Sequence, residues 1–389
     1  MSTTAAGYAW LPDYQLHVAA TLAHVDQTIE RVIQMVHDYT AQEPLSLKNV
    51  VEGHQVHAVV TATAPIPEAI PRLVADALTQ LRAALEHTVY AEVEYLLPRS
   101  LTAEEARSIE MPASTSPADF EKWLSHGRRR GLPPLQPSAP LAQRIRALQP
   151  FQRRTPDEHP LKILVEYTNM AKHRRPAIAA ARLGAVYPDG PNSGLAVSQP
   201  LERRPQPGSG QPIHVNDIIA TAPRGAHIPF SILTTVSLQR PHTGIWTIAA
   251  NELEYLEDWV RTTAIPILVT GDRAVAPLPP QLDISTGHTD LRSELPRAGA
   301  MPAAERGRQR IQAAIARSGL AELLIPLAGS ELSETISAWA ATLTDDAAQE
   351  RVHRLIRARH SSQESHQVTA ELIAEAQVHM TARHKLDGG

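Results

Sequence analysis

The chain contains 389 residues, a length typical of two or three domains. It contains no cysteine, which excludes disulfide bridges, thiolate metal sites and a cysteine nucleophile. The net charge of −4 excludes a surface coated with positive charge, so any contact with RNA would need a local patch. The N-terminus lacks the pattern of a signal peptide, and no apolar run is long enough to predict a membrane span. We therefore expect a cytoplasmic protein.

Hydrophobic periodicity in the first 270 residues predicts a helical bundle with an inserted small β-sheet. The main helices are predicted at 14–39, 68–97, 158–174 and 251–263, with Asn251 as the N-cap of the last. Shorter helices are expected near 119–126 and 140–148. The strands are predicted at 45–64, 178–186, 213–219 and 230–238.

The composition changes after residue 270. Residues 271–302 hold many Pro and Gly residues and few large apolar ones, which predicts a Pro-rich linker. Helical periodicity then returns and predicts a C-terminal helical domain over 303–389, with helices at 303–318, 331–343, 345–360 and 364–383. The predicted fold class is α+β, mainly α.

The sequence offers no clear metal or cofactor site. No HExxH motif is present, and His54 and His57 lie three apart in a predicted strand, so they point to opposite faces. The glycine-rich loops of nucleotide-binding proteins and the GxSxG motif of hydrolases are also absent. We therefore predict no metal and no cofactor.

The helix at 68–97 is apolar on nearly all sides. One face carries a Val and Leu stripe, and His87 lies on the opposite face between Ala83 and Ala91. Arg82 precedes His87 by five positions. A structural interpretation makes His87 a core histidine and pairs Arg82 with Glu86 at i,i+4. The R-x4-H spacing alone decides little, because the chain repeats it elsewhere by chance.

The helix at 158–174 carries a polar face. Lys162, Glu166, Asn169 and His173 are spaced four, three and four apart, so they line one side. A solvent-exposed face is the ordinary interpretation. Asn and His are indifferent helix formers, however, which favours a functional one.

Residues 81–90, LRAALEHTVY, resemble the segment LRSALDHLVY of a widespread group of uncharacterised bacterial proteins. The counterparts of that group's later segments are Ile109–Pro112, Leu148–Phe151 and, for the helix end NxxDKHR, Asn169–Arg174. The resemblance covers residues 14–175 and leaves out 303–384. The Arg–His helix of the group is similar to the active helix of HEPN-type ribonucleases.

The resemblance implies a metal-independent endoribonuclease of the kind that serves as a toxin or a phage-defence effector. His87 would be the general base on the ribose 2′-OH and Arg82 would stabilise the phosphorane. Asn169, Lys172, His173 and Arg174 would bind the substrate RNA, and a homodimer would complete the site. At least one of Asn169, Lys172 and His173 should then reach Arg82 or His87 directly or through one water.

The alternative is a non-catalytic binding or scaffold protein whose C-terminal helical domain, residues 303–384, recruits a protein partner. In that case the same polar residues are structural. The sequence leaves open whether the protein is an enzyme.

Overall fold

A computed structural model describes residues 5–188, 196–197, 211–226, 230–358 and 361–387. The chain divides into two compact units, Met1–Ala304 and Glu305–Gly389. The first unit is mainly helical and also contains two small sheets, so the α+β, mainly α fold class is confirmed. Its helices are α1 (Leu16–Ala41), α2 (Ala69–Leu96), α3 (Ala103–Ala106), α4 (Pro117–Ser125), α5 (Pro140–Ala147), α6 (Pro160–His173), α7 (Ala249–Trp259), α8 (Ile265–Thr270) and α9 (Leu291–Glu294).

Helices α1 and α2 form an antiparallel pair that supplies much of the core. At one end Gln15 Nε2 donates to the Thr88 carbonyl over 3.1 Å, and at the other Tyr39 Oη donates to the Ala64 carbonyl over 2.8 Å. The apolar stripes predicted from the sequence are buried, since residues such as Leu22 of α1 and Leu81 and Leu85 of α2 are fully covered. Burial of these stripes, more than helix propensity, holds the pair together.

Helices α7 and α8 form one continuous rod joined by a π-helical turn, Val260–Ala264. The helix begins at Ala249, and Ile248 occupies the N-cap position, so the prediction of Asn251 as N-cap is wrong. The wider turn precedes Pro266, which lacks an N–H and cannot continue the regular hydrogen-bond pattern. Within this turn Arg261 donates to the carbonyls of Leu22 and Leu278, each over 3.1 Å, and locks the rod to the bundle.

The strands form two antiparallel sheets where the sequence predicted one. Their orders are β1-β2-β5-β4 and β3-β6-β7, with β1 Leu45–Glu52, β2 Gln55–Thr63, β3 Ile178–Pro188, β4 Ala196–Val197, β5 Ile218–Pro223, β6 Phe230–Gln239 and β7 Trp246–Ile248. Val60, Leu183 and Ile219 lie in a small apolar core shared by the two sheets. The strand predicted at 213–219 starts only at Ile218, because Asn216 adopts a left-handed φ of 77°.

Residues 271–302 do not form the predicted linker. Leu278, Leu282 and Leu295 are buried in the core of the first unit. Arg292 ties the segment down, because it donates to the Leu11 carbonyl and pairs with Asp13 over 2.7 Å. The Pro-rich composition predicted an exposed chain, whereas these buried leucines anchor it.

The second unit is a separate helical domain. It consists of α10 (Ala303–Ala328, which starts in the first unit), α11 (Ser333–Thr342), α12 (Asp345–Ala358) and α13 (Ser362–Asp387). Trp339 lies at the centre of its core, surrounded by residues that include Leu320, Leu324 and Leu372. The first helix continues past its predicted end at residue 318, because burial of Leu320 and Leu324 offsets the low helix propensity of Gly319.

Helix α10 also has the length and composition of a membrane-spanning helix. It is the one helix of this kind within the described ranges. Core helices of globular proteins pass the same test.

Candidate functional site

Arg82 is bound in a closed set of hydrogen bonds. Its Nε donates to Glu86 Oε1 over 2.6 Å, and its Nη2 donates to the Met111 carbonyl over 2.6 Å. Glu86 Oε2 in turn accepts from the Met111 backbone N–H over 2.6 Å. Burial raises the pKa of the Glu86 carboxyl, while the charge of Arg82 opposes that rise. The pair attaches the segment at Met111 to α2, which matches the structural interpretation of Arg82.

His87 is exposed on the surface of α2, so the alternative that made it a core histidine is wrong. Its ring faces that of His17 on α1, with centroids 6.2 Å apart and planes at 52°. Burial against its surroundings and the positive charge of His87 lower the pKa of His17, whose Nδ1 donates to the Tyr14 carbonyl over 3.1 Å. The sequence analysis missed His17, because only the antiparallel pairing of α1 and α2 brings the two rings together.

The polar residues at the end of α6 lie elsewhere. Asn169, Lys172, His173 and Arg174 are all exposed, and within the part of the chain that the structure describes no side-chain hydrogen bond or ion pair joins them to another residue. Further back on the same face, Lys162 and Glu166 form an i,i+4 ion pair of 2.6 Å. That part of the predicted polar face is therefore an ordinary helix surface.

The two predicted halves of the site do not converge. Arg175 and Pro176, directly after α6, line a cavity together with Glu68 and Pro71 at the start of α2, so the two helices run antiparallel. At a rise of about 1.5 Å per residue, His87 lies about 28 Å further along α2 from Glu68. The prediction that the α6 residues reach Arg82 or His87 is wrong, because the end of α6 lies beside the first turn of α2, about 20 Å along that helix from Arg82.

The cavity at the end of α6 has a volume of about 650 Å³. Its walls come from the segment after β2, the first turn of α2, the start of β3 and residues 212–214. Most of the lining is apolar, as at Pro65, Ile66 and Ile178, while Arg175, His214 and Glu68 supply charged or polar groups. Strand β3 is an edge strand of its sheet, so its start remains open towards the cavity.

Positive charge accumulates beside this cavity. Lys172, His173, Arg174 and Arg175 are consecutive and exposed, and we refer to these four residues as the α6-end patch. Lys172 and His173 lie in the last turn of α6, where a basic side chain interacts favourably with the negative end of the helix dipole. Glu68 on the opposite wall lies 3.8 Å from Arg72, which compensates its charge. The cavity therefore opens beside uncompensated cations.

Within the described ranges, no group of three or more His, Asp or Glu residues is placed to hold a metal ion. Comparisons of the chain with family models, with curated proteins and with solved structures find no match.

Proposed function

We propose that the chain is a binding protein for single-stranded RNA, held at the α6-end patch, and that its C-terminal unit recruits a protein partner. The observation that carries the proposal is the run of three exposed cations, Lys172, Arg174 and Arg175, together with His173, with no ion-pair partner in the described residues beside a cavity of about 650 Å³. Cations of this kind bind phosphates and release counterions.

The shape of the cavity favours a single strand. Its apolar walls at Pro65, Ile66 and Ile178 suit an unstacked base, and a duplex does not present one. Arg175 would bind the phosphate next to that base. The resemblance to RNA-cleaving proteins favours RNA over DNA.

Fluorescence anisotropy with a labelled 12-residue oligouridine tests this proposal. The triple variant Lys172→Gln, Arg174→Gln, Arg175→Gln should raise the Kd at least about tenfold. It should also flatten the dependence of log K on log salt by about two units, because each of the three lost phosphate contacts on a single strand removes about 0.7. Arg273→Gln removes one exposed cation elsewhere and serves as the control. Equal Kd values for the wild type and the triple variant would exclude the patch, and tighter binding of oligothymidine would exclude a preference for RNA.

A second candidate function, metal-independent RNA cleavage, is favoured by the His17–His87 pair. Two imidazoles can divide the acid and base roles between them. The lowered pKa of His17 favours its neutral form, so His17 would take the proton from the ribose 2′-OH. The freed oxygen attacks phosphorus, and protonated His87 gives its proton to the departing 5′ oxygen. The products are a 2′,3′-cyclic phosphate and a 5′-OH.

Incubation of the purified protein with total RNA in the presence of EDTA tests this second candidate. Cleavage should survive chelation and disappear in His17→Ala and in His87→Ala. His24→Ala, an exposed histidine on the same helix as His17, should retain it. A folded wild-type protein that binds oligouridine without cleaving it would remove the catalytic candidate and leave RNA binding in place.

A further inference from the structure

Two tyrosines form an aromatic stack where the start of α1 meets the last turns of α2. The ring centroids of Tyr14 and Tyr95 are 4.2 Å apart, and the ring planes are inclined by 15°. Tyr95 has 65% of its surface exposed, so the stack lies at the surface of the protein. An exposed aromatic ring is the group on which proteins stack the bases of single-stranded nucleic acids. We refer to Tyr14 and Tyr95 as the tyrosine stack.

The inner ring of the stack is held by polar groups. The Tyr14 hydroxyl donates to Glu92 Oε1 over 3.0 Å, and Gln15 Nε2 donates to the same oxygen over 2.9 Å. Gln15 and Glu92 are buried, and Arg144 lies 3.9 Å from the second oxygen of Glu92. Tyr95 therefore packs on a ring whose orientation is fixed before a ligand binds, which lowers the entropic cost of binding.

The tyrosine stack and the His17–His87 pair follow one another along the same two helices. His17 comes three residues after Tyr14, about 5 Å along the axis, and its Nδ1 bonds to the Tyr14 carbonyl over 3.1 Å. His87 comes eight residues before Tyr95 on α2, about 12 Å along that helix. The order along this surface is therefore the tyrosine stack, then His17, then His87.

We infer that the tyrosine stack binds the base of the ribonucleotide whose 2′-OH reacts at the histidine pair. A ribonucleotide within RNA presents its groups in the same order, since the base is followed by the 2′-OH and then by the 3′-phosphate that carries the next 5′ oxygen. With the base on the exposed ring of Tyr95, the 2′-OH comes to His17 and the departing oxygen to His87.

The inference rests on the second candidate function, RNA cleavage, and adds the position of the cut. His17 takes the proton of the 2′-OH, the bond from O2′ to phosphorus forms, the bond from phosphorus to O5′ breaks, and His87 protonates O5′. The cut therefore falls on the 3′ side of the stacked base. Stacking tolerates every base, and a purine covers more of the tyrosine ring than a pyrimidine does. We therefore expect adenine to bind more tightly than uracil.

NMR titration with adenosine 3′-monophosphate tests the site without catalysis, because the proposed reaction cannot cleave this nucleotide. The nucleotide should shift the ring signals of Tyr95 and of both histidines, and uridine 3′-monophosphate should bind more weakly. Tyr95→Ala should raise the Kd about tenfold, while Tyr95→Phe, which keeps the ring, should bind as the wild type does. Leu96→Ala removes a half-exposed apolar side chain beside Tyr95 and is the matched control, with an unchanged Kd.

Cleavage of an oligouridine that contains one adenosine tests the position of the cut. The wild type should cut mainly on the 3′ side of the adenosine. Tyr95→Ala should lose this preference through a higher KM, because the stacked base does not take part in the proton transfers. Cleavage by Tyr95→Ala with the wild-type preference would overturn the inference.

Failure of the tyrosine stack and failure of catalysis give different results. If adenosine 3′-monophosphate shifts Tyr95 but total RNA stays intact, the stack is a base-binding site and the catalytic candidate is wrong. If RNA is cleaved with a requirement for His17 and His87 while millimolar nucleotide leaves the Tyr95 signals unchanged, the inference is wrong and the catalytic candidate stands. The triple variant of the α6-end patch should bind the mononucleotide as the wild type does, since Tyr95 lies in the last turn of α2 and the patch lies beside its first.

Discussion

The middle of α2 and the end of α6 carry similar polar residues, yet the fold uses them in opposite ways. Arg82 is bound to Glu86 and to the carbonyl of Met111, so its charge holds two segments together. The Arg174 side chain has no hydrogen-bond or ion-pair partner within the described ranges and lies beside an open cavity. A helical pattern shows which residues are polar, whereas the neighbouring segment decides whether a polar group is structural or available for a ligand.

The largest effect should come from acid titration of His159, the buried counterpart of the exposed His173. His159 accepts from the Leu161 N–H through Nδ1 over 3.1 Å and packs edge-on against Trp259. Burial and the nearby Arg153 lower its pKa to about 4. Because the unfolded chain takes up the proton first, the free energy of unfolding should fall by up to about 3 kcal/mol as the pH drops from about 6.5 to 4.

Urea unfolding between pH 4 and 8 measures this contribution. His159→Asn keeps a side chain that can cap α6 but does not titrate, so it should remove most of the pH dependence. His173→Gln should leave the dependence unchanged, because His173 is exposed. An unaltered pH profile for His159→Asn would show that the ring does not titrate as a buried group.

The second effect concerns the Arg82 contacts. Arg82→Met should lower the free energy of unfolding by about 2 kcal/mol, because it leaves Glu86 and the Met111 carbonyl without their donor in a half-buried setting. Arg72→Met breaks the exposed pair with Glu68 and should cost less than about 0.5 kcal/mol. Equal free energies of unfolding for the two variants would show that Arg82 is not structural. Arg82 in the middle of α2 and Arg174 at the end of α6 would then not differ in their role.

Helices α1, α2 and α6 could be predicted from the sequence within about two residues, because their apolar stripes mark the buried side and the neighbouring Pro residues mark the ends. The relative direction of α2 and α6 could not, since an amphipathic stripe packs equally well in either orientation. The prediction of a shared site depended on that direction. The prediction of a linker was wrong because Leu282 follows Leu278 by four positions but Leu295 lies thirteen positions further on, so the segment shows no sustained periodic pattern.

The candidate site was predictable only in part. The basic run at the end of α6 is visible in the sequence, but the cavity beside it requires the segments around Pro65 and Ile213. His17 and His87 are separated by most of two helices, and neither has a motif that connects it to the other. Residues that meet through tertiary packing leave no local signal in a single sequence.

The smallest effect, and the one that separates His87 most sharply from Arg82, is expected for His87→Ala. The ring is exposed and its one described contact is with His17, so the free energy of unfolding should change by less than about 0.5 kcal/mol. The pKa of His17, measured by NMR titration, should rise towards its ordinary value, because the charge of His87 contributes to lowering it. The rise should be incomplete, since burial remains the larger cause.

His24→Ala provides the comparison for this titration and should leave the pKa of His17 where it is. If His87→Ala lost about 2 kcal/mol of stability, the ring would be a packing element, as the Arg82 contacts are. An unchanged pKa of His17 would mean that the two imidazoles do not sense each other. The first result would remove His87 as an acid that is free to react, and the second would show that its charge does not contribute to the lowered pKa of His17.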